Sequence, residues 1–341
     1  MDKLKSLLFS GTSKDATASM VGNVSIALGG MLFTIILARH LPPAQFGILA
    51  AIFALATMLG SVSDLGTSSA LVNFLPKFPN DRHAITSITF WFQTAFSLFL
   101  SLLILTTIPL RHLFLPGASI TEILLLSAVT FLICLETFAF SLQRAQTRFV
   151  FNAFTSSIDT WGKLTVVLIL SYFNLLSIQT AVIATIISVS LATAISLTQE
   201  LGQLRPFFPR SQVKQIFHFT KWIGISRLFS TTTNRLDTVL LNAIGSSFQA
   251  GIFAAASRLA LAFAIIVSSL GAVIAPRFSR FTSIDQVKSY LKKIFLLTLF
   301  CVAALILSVF LAPLLINFIF GSAYKEAIIV YQYLGLAMIP F

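Results

Sequence analysis

The sequence alternates between long apolar runs and short polar segments. Runs long enough to cross a bilayer as helices are predicted at 17–38, 46–74, 84–110, 121–143, 153–173, 175–198, 221–243, 250–275, 294–319 and 327–341. This pattern predicts an all-α polytopic membrane protein with about ten transmembrane helices.

Basic residues divide the loops into two groups. Most of the 23 lysines and arginines lie before the first span or after every second one. Outside the spans, only Arg39, Arg111 and Lys325 lie in the other loops. Since basic loops stay in the cytoplasm, this bias predicts a cytoplasmic N-terminus and a cytoplasmic position for the longest connection, 199–220.

The composition supports a membrane protein and argues against other classes. Hydrophobic residues make up 57% of the chain and charged residues only 10%, against about 25% charged in soluble domains. A net charge of +12 would suggest nucleic acid in a soluble protein, but here the charge fits membrane topology, so we predict no nucleic-acid partner. Cys134 and Cys301 lie in apolar runs and no Cys/His cluster occurs, so we predict neither a metal site nor a cofactor.

The chain is expected to form two related lobes. The first is predicted at 1–198, with an interfacial helix at 1–15; the second, at 221–341, follows the basic linker 199–220. Residues 46–51 resemble 250–255, and 63–66 resemble 268–271, which predicts a parallel repeat about an axis along the membrane normal. Because the last apolar run ends without a polar tail, we expect the second lobe to be incomplete.

Several short motifs resemble one transporter family. They are 38–47 (ARHLPPAQFG), 64–66 (DLG), 235–237 (RLD), 251–253 (GIF), 256–259 (ASRL) and 275–278 (APRF). Their order and spacing resemble the polysaccharide (Wzx-type) flippases, which belong to the MOP superfamily together with the MATE multidrug exporters.

The resemblance implies two pseudo-symmetric lobes around a central cavity that opens alternately to either side. It implies a non-enzymatic flippase in cell-surface polysaccharide or O-antigen biosynthesis, in a bacterial or archaeal cytoplasmic membrane. The substrate would be a polyprenyl-pyrophosphate-linked oligosaccharide, moved from the cytoplasmic to the outer leaflet. The expected partners are the lipid bilayer, this lipid-linked oligosaccharide and glycan-assembly proteins.

Charged residues within the predicted spans are the candidate site. A charge in hydrocarbon costs several kcal/mol unless it is paired or lines a wet cavity. Arginine and lysine match phosphate oxygens, so the candidates for binding the pyrophosphate are Lys163, Arg235, Arg258 and Arg227. The candidate coupling or pairing carboxylates are Glu136, Asp159, Asp237 and Asp64.

A purely structural role is open for several of these charges. Asp159 and Lys163 are four residues apart on one helix and would neutralise each other. Asp237 would pair with Arg258 on the next helix, and Arg227 would extend to the membrane surface. Asp64 would anchor helix packing near the interface.

Other polar residues in the predicted spans have different expected roles. Glu136 has no evident partner, and because burial disfavours its charged form, it would respond to a proton gradient. Side chains that would hydrogen-bond sugar hydroxyls are Asn23, Gln93, Thr231, Thr232, Thr233 and Asn234.

Three alternative functions stay open. A cation-coupled MATE-like multidrug exporter would favour acidic and aromatic cavities, whereas this chain places lysine and arginine deep in the membrane. A membrane-embedded glycan polymerase or ligase would need a larger outward loop than those predicted. A non-transporting scaffold for glycan assembly is compatible with an incomplete second lobe.

Overall fold

The computed structural model describes residues 11–106, 114–278 and 284–339, and its long elements are helices. In chain order the helices are α1 Gly11–His40, α2 Pro43–Asp64, α3 Thr67–Lys77, α4 Arg82–Thr106, α5 Ile120–Ala145, α6 Phe149–Tyr172, α7 Ile178–Leu197, α8 Arg210–Leu240, α9 Ser247–Phe278, α10 Ile284–Phe310, α11 Ala312–Ile319 and α12 Ala327–Ala337. The predicted all-helical class is confirmed. Residues 1–10 of the expected interfacial helix lie outside the described part.

The described residues of each of the ten predicted runs are mainly helical. Among the described residues, six helical segments are long and apolar enough to cross a membrane, judged by length and composition: Gly22–His40, Pro43–Asp64, Pro79–Thr106, Ile120–Ala145, Ile178–Leu204 and Gln286–Phe310. Helices α6 and α8 are not among these six; they carry Asp159, Lys163, Arg227, Arg235 and Asp237, and charged side chains lower the hydropathy of a span. The charges that mark the candidate site therefore also weaken the apolar signal of their helices.

The run predicted as one span at 46–74 is two helices. The chain breaks at Leu65 and Gly66, whose φ angles of 41° and 85° are left-handed. A side chain on Gly66 would press against Ile223 of α8, since its Cβ would lie 3.0 Å from that side chain. The Asp64 carboxylate accepts a hydrogen bond from the Ser68 amide at 2.7 Å, which satisfies an amide left free at the start of α3. The run at 294–319 is likewise divided, into α10 and α11, at Leu311.

The segment after α7 is attached to the first lobe. It forms a short 3₁₀ helix, Thr198–Leu204, and its Glu200 is 4% exposed and forms ion pairs with Arg82 at 3.2 Å and Arg148 at 3.1 Å. Farther along, the Phe207 amide donates to the Ser87 hydroxyl at 2.9 Å. The predicted linker 199–220 is thus ordered at its start, and α8 already begins at Arg210.

The two lobes cross closely at the predicted outer side, where α2 meets α9. A side chain at Gly47 would collide with the Ser247 carbonyl, and one at Gly251 would collide with the Pro43 carbonyl. These glycines occupy equivalent positions of the sequence repeat. Equivalent residues meet where a local two-fold axis passes, so the crossing agrees with pseudo-symmetric lobes.

Two further contacts close this outer side. The Arg39 guanidinium donates to the carbonyl of Ile319 at 2.8 Å and to that of Phe318. The Tyr324 hydroxyl donates to the Leu41 carbonyl at 3.2 Å. Burial raises the pKa of Tyr324, so this phenol keeps the proton it donates. The end of α1 is therefore bonded to the segment around α11.

We expect Gly251→Ala to destabilise the protein by about 1–3 kcal/mol, because a methyl group there overpacks the crossing of α2 and α9. The measurement is the thermal unfolding midpoint of the purified protein in detergent. Gly30→Ala is the matched control, since a Cβ at Gly30 meets no atom within 4 Å and alanine favours the helix. Equal midpoints for the two variants would show that the crossing is looser than described.

Candidate substrate cavity between the lobes

A cavity of about 110 Å³ lies between the lobes, lined by α1, α2, α8 and α9. Its polar lining side chains are Thr34, Thr57, Arg235, Thr238, Ser257 and Arg258. The volume corresponds to only a few water molecules, at about 30 Å³ each. In this state the cavity fits a small anionic group, and it would have to widen for an oligosaccharide.

The structure brings Arg235 and Arg258 together in this cavity. They come from α8 and α9, and their guanidinium groups repel each other electrostatically. No carboxylate of the described residues lies within ion-pair distance of either. Two positive charges in one cavity without a paired acid favour an anionic ligand.

Lys163 lies beside the cavity and is neutralised. Its ammonium group donates to Asp159 at 2.7 Å, as the four-residue spacing predicts. The same ammonium group lies 5.9 Å from the centre of the Phe33 ring, within cation–π range. Phe33 lines the cavity, so Lys163 contacts the cavity wall at the Phe33 ring.

Glu136 of α5 belongs to the same charge group. It interacts electrostatically with Asp159 and Lys163 of α6. In the described part of the chain, Glu136 Oε1 and Asp159 Oδ1 are buried and have no hydrogen-bond partner. With all three groups ionised, this cluster would carry one uncompensated negative charge.

Arg227 forms an ion pair with Asp64 across the two lobes, towards the predicted cytoplasmic side. Asp64 is fully buried and also accepts from the Thr67 hydroxyl at 2.9 Å. Arg227 donates in addition to the Ser69 hydroxyl at 3.1 Å. In this structure Arg227 holds the α2–α3 turn against α8; its expected contact with pyrophosphate stays a prediction.

Asp237 does not take the role expected of it. Its carboxylate accepts a hydrogen bond from the Thr238 amide at 2.7 Å, and the side chain is exposed. The expected ion pair with Arg258 is not among those formed by the described residues. Because Asp237 leaves Arg258 unneutralised, the positive charge of the cavity is preserved.

The described polar residues that were expected to bind sugar hydroxyls do not line the cavity between the lobes. Gln93 is buried, and its amide donates to the Cys134 carbonyl at 3.1 Å, so it supports helix packing. Asn23 is exposed and Thr231 is half-buried, and neither lines the inter-lobe cavity. The side chains of Thr232, Thr233 and Asn234 lie outside the described residues.

Several cavity residues escaped the sequence analysis. The hydroxyls of Thr34 and Thr57 bond their own helix, to Gly30 at 2.9 Å and Phe53 at 2.8 Å, and hydroxyls in apolar runs commonly do so without any link to a site. The positions of Thr238 and Ser257 could have been found from the sequence. Thr238 lies three residues after Arg235, and Ser257 lies directly before Arg258. Among the described residues, no group of three His, Cys, Asp or Glu side chains could hold a metal ion.

Comparisons with known proteins show which family the sequence matches and which solved structures share its fold. Residues 36–329 match the family described as "Polysaccharide biosynthesis protein". No functionally curated protein matches the sequence.

Solved transporters have similar structures. An inward-facing multidrug resistance MATE family transporter of the MOP superfamily has a TM-score of 0.67 and 17% identity, covering 94% of this chain and 81% of its own. An outward-facing MATE family structure has a TM-score of 0.63 and 15% identity, covering 95% and 77%. A MOP superfamily transporter from Pyrococcus furiosus, whose binding pocket is described as having reverse polarity, has a TM-score of 0.64, 15% identity and the same coverage.

We expect Arg227→Gln to destabilise the protein by about 1–3 kcal/mol, because it leaves the buried Asp64 carboxylate without its cation. The expected loss of stability is smaller than for a fully buried pair, because the Arg227 side chain is 40% exposed and its charge is partly screened by solvent. The measurement is the thermal unfolding midpoint, with Arg210→Gln, at the start of the same helix, as control. Adding Asp64→Asn should restore part of the loss; a purely additive double variant would contradict the pairing.

Proposed function

Because the chain belongs to the polysaccharide biosynthesis protein family, we propose that this multi-pass membrane transporter flips a polyprenyl-pyrophosphate-linked oligosaccharide. The direction is from the cytoplasmic to the outer leaflet, for cell-surface polysaccharide assembly. The membrane is the cytoplasmic membrane of a bacterium or archaeon, with the N-terminus on the cytoplasmic side. Glycan-assembly proteins are the further partners in this proposal.

The observation that carries the proposal is the unneutralised pair Arg235 and Arg258 in the inter-lobe cavity. A pyrophosphate diester has one negative charge on each phosphate, and each guanidinium group presents donors that match phosphate oxygens bidentately. Crossing the hydrocarbon core with bare phosphates would be prohibitive. The two arginines would supply matching positive charge inside the cavity between the lobes.

The closed outer side supports alternating access. The crossing of Gly47 and Gly251 and the bonds of Arg39 and Tyr324 join the lobes on the predicted outer side of the cavity. Release to the outer leaflet would require these contacts to open. New contacts between the lobes on the cytoplasmic side would then close the cavity to the cytoplasm and complete the transport cycle.

We propose Glu136 as the coupling group. With Asp159 and Lys163 neutralising each other, a charged Glu136 would leave a net negative charge in the membrane interior, which is costly. Binding one proton removes that charge. Proton binding to Glu136 would change the charge beside Lys163. Because Lys163 contacts Phe33, which lines the cavity, this change would be transmitted to the cavity wall.

Drug export is less compatible with this cavity. Cationic drugs are attracted to acidic and aromatic sites, but here two guanidinium groups would repel them. A glycan polymerase or ligase would need reacting groups at an outer-facing site, and the charges described here lie between helices instead. The structural relatives are likewise described as transporters.

We expect Arg235→Gln and Arg258→Gln each to reduce export of surface polysaccharide by about tenfold or more, the effect of losing one charge-assisted contact. The measurement is complementation of a flippase-deficient strain, with membrane expression checked by immunoblot. Lys214→Gln is the control, as an exposed lysine of the same helix. Undiminished export by both arginine variants would remove the cationic-cavity proposal, and gained drug resistance with the wild-type chain would favour the exporter alternative.

We expect Glu136→Gln to abolish the response of transport to an imposed pH gradient, because the glutamine side chain cannot bind and release a proton. The measurement is flipping of the lipid-linked oligosaccharide in proteoliposomes, with and without the gradient. Glu122→Gln is the matched control on the same helix, since glutamine preserves the capping box that Glu122 forms with Ser119. A gradient response that survives in Glu136→Gln would exclude Glu136 as the coupling group.

A further inference from the structure

One side of the first turns of α8 is basic. Arg210, Lys214 and Lys221 are exposed, and intervals of four and seven residues place them on the same side of a helix. Phe217 lies between them on that side and is 42% exposed. The opposite side is packed, since Ile216 is 3% exposed and belongs to an apolar cluster with α3, α4 and α5. The three cations, which we call the α8 basic face, therefore point away from the protein.

The α8 basic face has no acidic neighbour in the sequence. From Leu201 to Leu236 the chain contains neither aspartate nor glutamate. Glu200, which precedes this stretch, already forms ion pairs with Arg82 and Arg148. The ion pairs among the described residues include none of the three cations of the basic face. Their positive charge is thus available to an anionic partner.

The end of the basic face lies at the level of the membrane surface. Helix α2 has 22 residues and a length of about 33 Å, which matches a hydrocarbon core of about 30 Å. A Cβ on Gly224 would lie 2.7 Å from the Leu65 carbonyl oxygen, directly after the end of α2. Trp222 is 70% exposed, and the Lys221 ammonium lies 5.6 Å from the centre of its ring. Tryptophan is enriched at this boundary between water and lipid.

An aromatic row leads from the basic face along α4. The Phe217 ring lies edge-on to that of Phe92, with centroids 4.8 Å apart. Phe92 stacks on Phe96 at 6.2 Å, and Phe96 stacks on Phe99 at 6.1 Å. Phe99 is 57% exposed, and the helix that carries the row is apolar enough to cross a membrane. The row therefore continues the surface of the basic face into the lipid without an intervening wall.

We propose that the α8 basic face binds the phosphate groups of anionic phospholipids in the cytoplasmic leaflet. Basic segments beside a membrane are attracted to that leaflet because its anionic lipids give it a negative surface potential. An acyl chain of the bound lipid would lie along the aromatic row of α4. A phospholipid thus matches both parts of the surface, whereas an acidic soluble protein would match only the charged part.

This lipid contact is separate from the proposed function. None of the three cations lines the cavity between the lobes, so a phospholipid could stay bound while the cavity holds a substrate. When one cation is replaced, two remain to hold the lipid. Export of polysaccharide is therefore not expected to depend on any single cation of the basic face.

The test uses the fluorescence of Trp222 in the full chain, reconstituted in phosphatidylcholine vesicles. The chain has three tryptophans, and the other two are removed by Trp91→Phe and Trp161→Phe. Bromine atoms quench a nearby indole, so quenching by a brominated lipid reports that this lipid lies beside Trp222. Brominated phosphatidylglycerol is compared with brominated phosphatidylcholine at equal mole fraction.

We expect phosphatidylglycerol to bind beside Trp222 about tenfold or more tightly than phosphatidylcholine, because each cation near the membrane surface contributes to the attraction. The triple variant Arg210→Gln, Lys214→Gln, Lys221→Gln should bring the ratio of the two affinities close to one. Added salt should lower the wild-type ratio, because it screens exposed charges.

The matched control is the triple variant Lys288→Gln, Lys292→Gln, Lys293→Gln. It removes the same charge from exposed lysines of α10 and should keep the wild-type ratio. Thermal unfolding midpoints of both triple variants show that they are folded, and the comparison of the two lipids in the chain with an intact basic face does not need either.

Three outcomes would overturn the phospholipid site. The first is equal quenching by the two lipids when the basic face is intact. The second is an equal loss of preference in the two triple variants, which would show an effect of net charge alone. The third is loss of the preference on adding farnesyl pyrophosphate but not inorganic pyrophosphate, which would assign the surface to a polyprenyl substrate instead.

Discussion

The cost of placing charge in hydrocarbon organises this molecule. Each charged side chain in a span must meet an opposite charge or face a polar space, and the structure uses both solutions. Lys163 meets Asp159 within α6, and Arg227 meets Asp64 between the lobes. Arg235 and Arg258 face the cavity instead. Pairing leaves two cations available where the lobes meet, and these define the chemistry of the cavity.

The helix content follows from the sequence because it depends on local composition and periodicity. The pairing of Asp159 with Lys163 is of this kind, since helix geometry alone brings residues four apart together. The break at Leu65 and Gly66 was not predicted, because the apolar run continues through it. Its cause is tertiary: the turn fits against Ile223 of α8, a residue far away in the sequence.

The partners of the remaining charges depend on how the lobes dock, and no local pattern encodes that. Asp64 and Arg227 are 163 positions apart, and the approach of Arg235 to Arg258 requires α8 and α9 to flank one space. The proximity of Phe33 to Lys163 likewise needs α1 beside α6. Sequence analysis could select the charged residues but could not separate those that hold the lobes together from those that face a ligand.

The bonds that hold the segment after α7 also set a tether length. Glu200 and Phe207 are fixed to the first lobe, and α8 begins at Arg210, so only three peptide steps separate the last anchor from the helix. At about 3.6 Å per extended residue they span about 11 Å. The N-terminal end of α8 is therefore confined close to the first lobe in any state that keeps these bonds. A large relative rotation must then be absorbed beyond that end. The π-helical turn Leu241–Gly245 directly follows α8 and is a position where the regular α-helical hydrogen bonding already changes.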